Sequence, residues 1–260
     1  MNCLRRPPAP EGNYCGNHLF PLAGTVFHKS TTSLTTWFYV IKLMTSTRVG
    51  VSAKQIQRET GVTYKTAWRM MKQVRILMAE KMKLSGPVEM DEAYFGGADE
   101  NKHSHLRGNS ENTTVLGVVE RHGRVIATVI PDAKKTSILP VVGEVLHPRI
   151  MIYTDGAAVF EHLRWMGQSH KHKAVNHSEG YVDGYAHTNT IDGFWSLVKR
   201  GIQGVYYQVG PAYLRSYLNE YAFRYNRRKV MRPMFTQLLE RTPMQVCPAA
   251  REKLALTAGR

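Results

Sequence analysis

Three acids and one lysine occupy settings in which a charge needs a reason. Asp91 sits inside VEMDEAYF and Asp155 closes IMIYTD, both among apolar or aromatic neighbours. A lone carboxylate in such company is strongly disfavoured unless a partner or a metal compensates it. Asp192 belongs to HTNTIDGFWSLVKR, residues 187–200, seven positions before Lys199. At 100° per residue, Ile191, Phe194, Trp195, Val198 and Ile202 fall in one narrow sector, the mark of a packed helix face. Asp192 and Lys199 lie about 20° apart and about 90° from the centre of that sector, with Asn189 and Ser196 beside them. Converging carboxylates are hard oxygen donors for a divalent cation. Each feature also has a plainer reading: a solvated helix edge for Asp192, an Asp-Gly turn for Asp155, and a satisfied salt bridge for Asp91. Glu92 is expected on the opposite face of its strand.

The elements that would position these acids are short runs bounded by Gly, Pro or charged turns. PVEMDEAYF, TTVLGVVER, RVIATVIP and RIMIYTDG read as strands. KTSILPVVGEVL, between the third and fourth, and AVFEHLRWM, after the fourth, read as helices. Periodicity therefore predicts an α/β domain with three consecutive strands and later parallel additions. Asp155 falls at a strand end, where α/β folds place their sites. GGADENKHSHLRGNSEN reads as a loop between the first two strands, either a hairpin tip or an arm facing DNA.

Upstream, Leu34, Trp37, Phe38 and Ile41 recur at helical spacing, and SAKQIQRETGVTYKTAWRMMKQVRILM offers two more helices with a turn at Gly61. Ser52 with Gln55 makes a capping box, and Thr63 is the N-cap of the next helix. The layout suits a helix-turn-helix whose second helix enters the major groove, making Tyr64, Lys65, Thr66, Arg69 and Lys72 candidates for DNA contact. An ordinary three-helix bundle with a basic face is the plainer alternative. Further on, Leu214, Tyr217, Leu218, Tyr221, Ala222 and Tyr225 form an apolar stripe that reads as core packing rather than a base-stacking platform, and Arg224, Arg227, Arg228, Lys229 and Arg232 at its end are candidates for phosphate contact.

Charge sets the partner class. The 260 residues carry a formal net charge of +15. Residues 1–87 hold 13 Lys and Arg against 3 Asp and Glu, and residues 211–260 hold 10 against 3, whereas the centre is slightly acidic. Basic flanks suit a polyanion and an acidic centre suits divalent metal. Three cysteines suggest no disulfide framework, which points to a reducing cytoplasm, and no apolar run is long enough for a bilayer. Cys15 and His18 have half of a zinc ribbon's spacing, but a site needs four ligands and only Cys3 and His28 are near, so zinc is not expected. His162, His170, His172, His177 and His187 are too irregularly spaced for zinc.

The strings VEMDEAYFGG, IYTDGAAVF, AVNHSEGYV, HTNTIDGFWSLVKRGI and YLNEYAFRYNRR, with GTVFHKSTTSLTTWFYVIKLM upstream, resemble bacterial insertion-sequence transposases with a DDE-type catalytic domain. The resemblance runs from about residue 15 to about residue 240. It implies a ribonuclease-H-like mixed sheet with flanking helices, Mg2+ or Mn2+, and transposition of DNA by a homo-oligomer. It matches Asp91 and Asp155 to the first two catalytic acids and Lys199 to the lysine after the third. Relatives commonly carry glutamate where Asp192 stands, and some carry asparagine in the third place, for which Asn189 is the candidate. Arg200 stands next to Lys199 as a further DNA contact. The layout implied is a truncated zinc-ribbon-like segment at 1–30, a helix-turn-helix domain at 31–85, a catalytic domain at 86–240 and a tail at 241–260. A catalytically degenerate copy acting as a DNA-binding repressor is the alternative function.

Overall fold

The computed structural model describes residues 22–96, 112–155, 160, 170–174 and 187–242. Three helices come first: α1 (Leu34–Ser46), α2 (Ala53–Thr60) and α3 (Tyr64–Leu77). Local chemistry sets their ends. The side chains of Ser33, Ser52 and Thr63 accept hydrogen bonds from the backbone N–H groups of Thr36, Gln55 and Thr66, supplying partners to donors that a helix start leaves orphaned. Gly61 ends α2 in the left-handed region at φ 72°, a conformation glycine adopts without steric penalty.

The central sheet contains β1 (Val88–Phe95), β2 (Thr113–Glu120), β3 (Val125–Ile130), β4 (Ile150–Thr154) and β5 (His170–Ala174), in the order β3-β2-β1-β4-β5. The first three strands are antiparallel neighbours, and β4 and β5 add in parallel. This mixed α/β arrangement is compatible with the ribonuclease-H-like layout. Helix α4 (Lys135–Val145) covers one face, where Met90, Leu116, Ile138 and Ile152 are buried together. Helices α5 (Asn189–Gly201) and α6 (Pro211–Asn226) cover the other, with Ala93, Val115, Phe194 and Leu218 in their core. The five core positions assigned to α5 from its periodicity, Ile191, Phe194, Trp195, Val198 and Ile202, are all buried.

Strand β5, HKHKA, has no apolar alternation, and nothing local announces it. Of the helix expected at AVFEHLRWM only Phe160 is described, buried in the core with Met90 and Ile152, and residues 97–111 of the polar loop after β1, Cys3, Cys15, His18, His162 and His177 lie outside the described residues. His28 lies within them, and its Nδ1 accepts from the Gly24 N–H at 3.1 Å.

Helix α6 joins the two layers. Leu214 and Leu218 belong to the sheet core, while Phe223 is buried among the helices α1 to α3 together with Leu238 of α7 (Met234–Leu239). A buried ion cluster reinforces the joint: Glu220 receives Arg75 of α3 at 2.7 Å and Arg224 from its own helix, and Tyr206 donates to it at 3.1 Å. The two arginines outweigh burial and hold the Glu220 carboxyl below its usual range.

The basic run ending α6 therefore corrects a sequence expectation. Arg224 is only 7% exposed, paired with Glu220 and bonded to the Met44 carbonyl, so it presents no charge to phosphate. Arg227 is turned inward as well, 2.6 Å from Glu80 and stacked on Phe223 at 3.8 Å. Arg228 stays exposed over the Tyr225 ring and donates to the Gly123 and Tyr225 carbonyls.

Candidate active site

Asp91 lies in β1 directly opposite Gly117 of β2. That pairing fixes the geometry of the site. A Cβ at Gly117 would stand 2.4 Å from Trp195 Cζ2 and 2.9 Å from Ile191 Cδ1, so the bare backbone lets α5 settle onto the sheet. Trp195 then reaches across, and its indole Nε1 donates to Asp91 Oδ2 at 3.0 Å. The tryptophan that periodicity assigns to the core also orients the candidate acid.

Around Asp91 negative charge accumulates. A cleft of about 400 Å³ is lined by Asp91, Glu92, Asp192, Trp195, Ser196 and Lys199. Burial, followed by the charges of Asp155, Glu92 and Asp192, raises the Asp91 carboxyl to about 7, against the smaller opposing effect of the Trp195 hydrogen bond. Glu92 is raised as well, by burial and then by Asp155. Although alternation places Glu92 on the other strand face, it borders the same cleft. The lining includes Asp192 and not Asn189, which is exposed in the first turn of α5. Lys199 and Arg200 are exposed on the cleft's rim. Among the described residues, no three His, Cys, Asp or Glu side chains form a ready-made cage for one ion. The acids meet as neighbours of Asp91.

Glu89 escaped the sequence reading and holds the site's framework. It is fully buried two residues before Asp91, on the same face of β1. Helix α5 has no side-chain cap of its own at Thr188. Glu89 Oε2 instead accepts the backbone N–H groups of Thr190 at 2.8 Å and Ile191 at 3.1 Å, and Oε1 accepts the Thr190 hydroxyl at 2.8 Å. A carboxylate at the positive end of a helix is stabilising, and this one satisfies orphan donors as well. Arg121 balances its charge at 3.1 Å, bonds the His187 carbonyl at 2.9 Å and stacks on Tyr153 at 3.9 Å. His187 Nδ1 stands 3.1 Å from Glu89 Oε1 but off hydrogen-bonding alignment. Only the spacing of Glu89 from Asp91 hints at this role in the sequence.

The candidate DNA contacts on α3 form a separate surface. Tyr64, Lys65, Arg69 and Lys72 are exposed, with Arg69 over the Trp37 ring and Lys72 over Trp68. Thr66 is half-buried, its hydroxyl 3.0 Å from that of Thr63.

The family model of the ISXO2-like transposase domain matches residues 83–226, from just before β1 to the end of α6 and over more than half of the chain. An uncharacterized protein in the transposable element ISH50 of Halobacterium salinarum is 30% identical over 213 residues, covering 75% of this chain and 71% of that protein. An uncharacterized transposase-like protein of Haemophilus influenzae is 26% identical over 107 residues, 41% of this chain and 85% of its own length. The sheet that carries Asp91, the helix that carries Asp192 and the helix that joins them to α3 all lie within the matched span, and the chain belongs to the ISXO2-like transposase family.

Proposed function

We propose that this chain is a metal-dependent DNA transposase that cleaves transposon ends and joins the freed 3′-OH to target DNA. The observation that carries the reading is Asp91: a partly buried carboxylate, oriented by Trp195 and crowded by Asp155 and Asp192. The donor set fits a hard divalent cation, because it offers carboxylate oxygens whose mutual repulsion a cation would relieve. Asp91, Asp155 and Asp192 would hold Mg2+ or Mn2+, with Asp192 favoured over Asn189 by its place in the cleft. The bound metal supplies Lewis-acid activation of the attacking and leaving oxygens.

The chain's own residues do the rest. Trp195 fixes the Asp91 carboxylate and lowers its affinity for a proton. Lys199 and Arg200, on the exposed rim, hold phosphate oxygens of the cleaved strand. Water attacks the phosphorus, the bond to the 3′ oxygen breaks, and the flanking strand keeps the phosphate. In the second step the new 3′-OH attacks a target phosphodiester and releases a target 3′-OH, with no covalent bond to protein. The basic face of α3 binds duplex DNA as a helix-turn-helix, and pairing two element ends calls for a homo-oligomer, assembled on the nucleoid.

The test is incubation of the purified chain and Mg2+ with DNA containing the inverted repeats that flank its reading frame. Nicks with 3′-OH ends, absent with Asp91→Ala, support the reading. DNA binding without nicking in either protein would instead identify a catalytically degenerate, repressor-like copy.

A further inference from the structure

The connection between α5 and α6 departs from regular geometry twice within a few residues. After Gly201 the helix continues as a π-helix, Ile202–Tyr206, a form that is rare and frequent at functional sites. Tyr207 follows at φ 65° and ψ −59°, and the Gln208 N–H bonds the Tyr206 carbonyl at 2.7 Å. Those values describe a γ-turn of the strained kind, in a backbone region that bulky side chains rarely adopt. Packing of the ring does not account for the strain, because Tyr207 is 89% exposed. Strain kept without a packing return is a reason to look for a ligand.

Next to this turn lies a cleft of about 230 Å³ between α2, α3 and the connection, lined by Tyr64, Trp68, Tyr206, Gln208, Tyr213 and Tyr217 among others. Tyr64 is 49% and Tyr213 43% exposed, and Trp68 meets Tyr213 edge to face at 5.4 Å. Cations surround these rings. Lys72 Nζ stands 5.6 Å from Trp68 and 5.8 Å from Tyr213, Lys54 lines the cleft, and none of the described residues that line it is a carboxylate. Exposed aromatic faces among lysines fit one chemistry closely: a nucleobase stacks on the ring while its phosphate meets the cation. A duplex hides its base faces, so the nucleotide must be unpaired.

We propose that Tyr207 and the aromatic cleft beside it take an unpaired nucleotide of the DNA. This rests on the reading of the chain as a DNA-processing protein and adds to it a site for single-stranded DNA. The π-helix extends α5, which carries Asp192 and Lys199, so a base stacked there is mechanically tied to the candidate catalytic helix.

The test uses the full chain with a blunt duplex and with the same duplex bearing a single-stranded 3′ extension that contains 2-aminopurine. Wild type is expected to bind the extended duplex roughly tenfold more tightly, with quenching of the probe. Tyr207→Ala abolishes that gain and leaves blunt-duplex affinity unchanged, whereas Tyr207→Phe retains it. Tyr207→Gly also loses the gain, yet relief of the positive φ raises its thermal midpoint by about 2 °C. Equal binding of both duplexes by wild type, or an undiminished gain in Tyr207→Ala, overturns the proposal while leaving the DNA reading intact. Failure of wild type to bind either duplex removes the DNA reading and the proposal with it.

Discussion

The indole N–H of Trp195 donates to Oδ2 of Asp91 at 3.0 Å, across a gap that Gly117 keeps open. One bond thus connects helix packing to the protonation of the candidate acid. It opposes the upward pull of burial and neighbouring carboxylates, so its removal raises the Asp91 carboxyl further. Trp195→Phe is predicted to keep the packing, cost about 1 kcal/mol of stability, and move the acidic limb of the pH–rate profile for strand cleavage upward. An unchanged limb would separate Trp195 from the chemistry.

Stability of the metal-free chain depends on pH through the same group. Asp91 goes from 3.8 to about 7 on folding, so the folded state keeps a proton that the unfolded state loses. The stability this contributes is fully present below 3.8 and is lost as pH rises through about 7. Asp91→Asn is free of that loss. In chelator, its advantage over wild type should grow with pH across this window by on the order of 2 kcal/mol, after allowance for partial solvent screening. Urea unfolding at several pH values measures it, and a constant difference would contradict it.

Glu89 predicts a structural effect with a functional consequence. Glu89→Ala leaves Arg121 without its buried partner and the first N–H groups of α5 uncapped, at a cost of about 3–5 kcal/mol. Glu89→Gln keeps one acceptor oxygen and should cost less, roughly 1–2 kcal/mol. Because α5 carries Asp192, the Gln variant should still lose affinity for Mg2+ in a calorimetric titration of folded protein. Unaltered affinity would show that the N-terminal lock does not position the site.

Two arginines separate DNA contact from architecture. Arg69→Ala should lower the slope of log affinity against log salt by about one while leaving stability nearly unchanged. Arg224→Ala should leave the slope unaltered and destabilise the fold by about 3–5 kcal/mol, since Glu220 keeps its charge in the interior. A reduced slope in Arg224→Ala would restore it as a phosphate contact.

Local signals were the legible part of this chain. Ser52 and Thr63 announce the starts of α2 and α3 because a cap acts within three residues, and the buried set on α5 follows from a 3.6-residue period. Long-range pairing was not legible. Glu89 acquires its role only when Thr190 arrives, and β5 only when β4 offers an edge. The indole of Trp195 meets Asp91 because Gly117 pairs opposite that acid, a register no local pattern encodes. Arg224 resembles a phosphate contact in sequence because its charge is visible while its surroundings are not. Glu220, one turn earlier, draws it inside and pairs at the same time with Arg75 from a distant helix.

Trp195 also provides the most direct test of the site, since an indole bonded to Asp91 will sensitise a luminescent trivalent ion held there. Tb3+ titrated into the full chain, with excitation of tryptophan, should give saturable luminescence that Mg2+ competes away and that Asp91→Asn and Asp155→Asn abolish. Luminescence that never saturates, or that survives both substitutions, would contradict a shared cation site at these carboxylates.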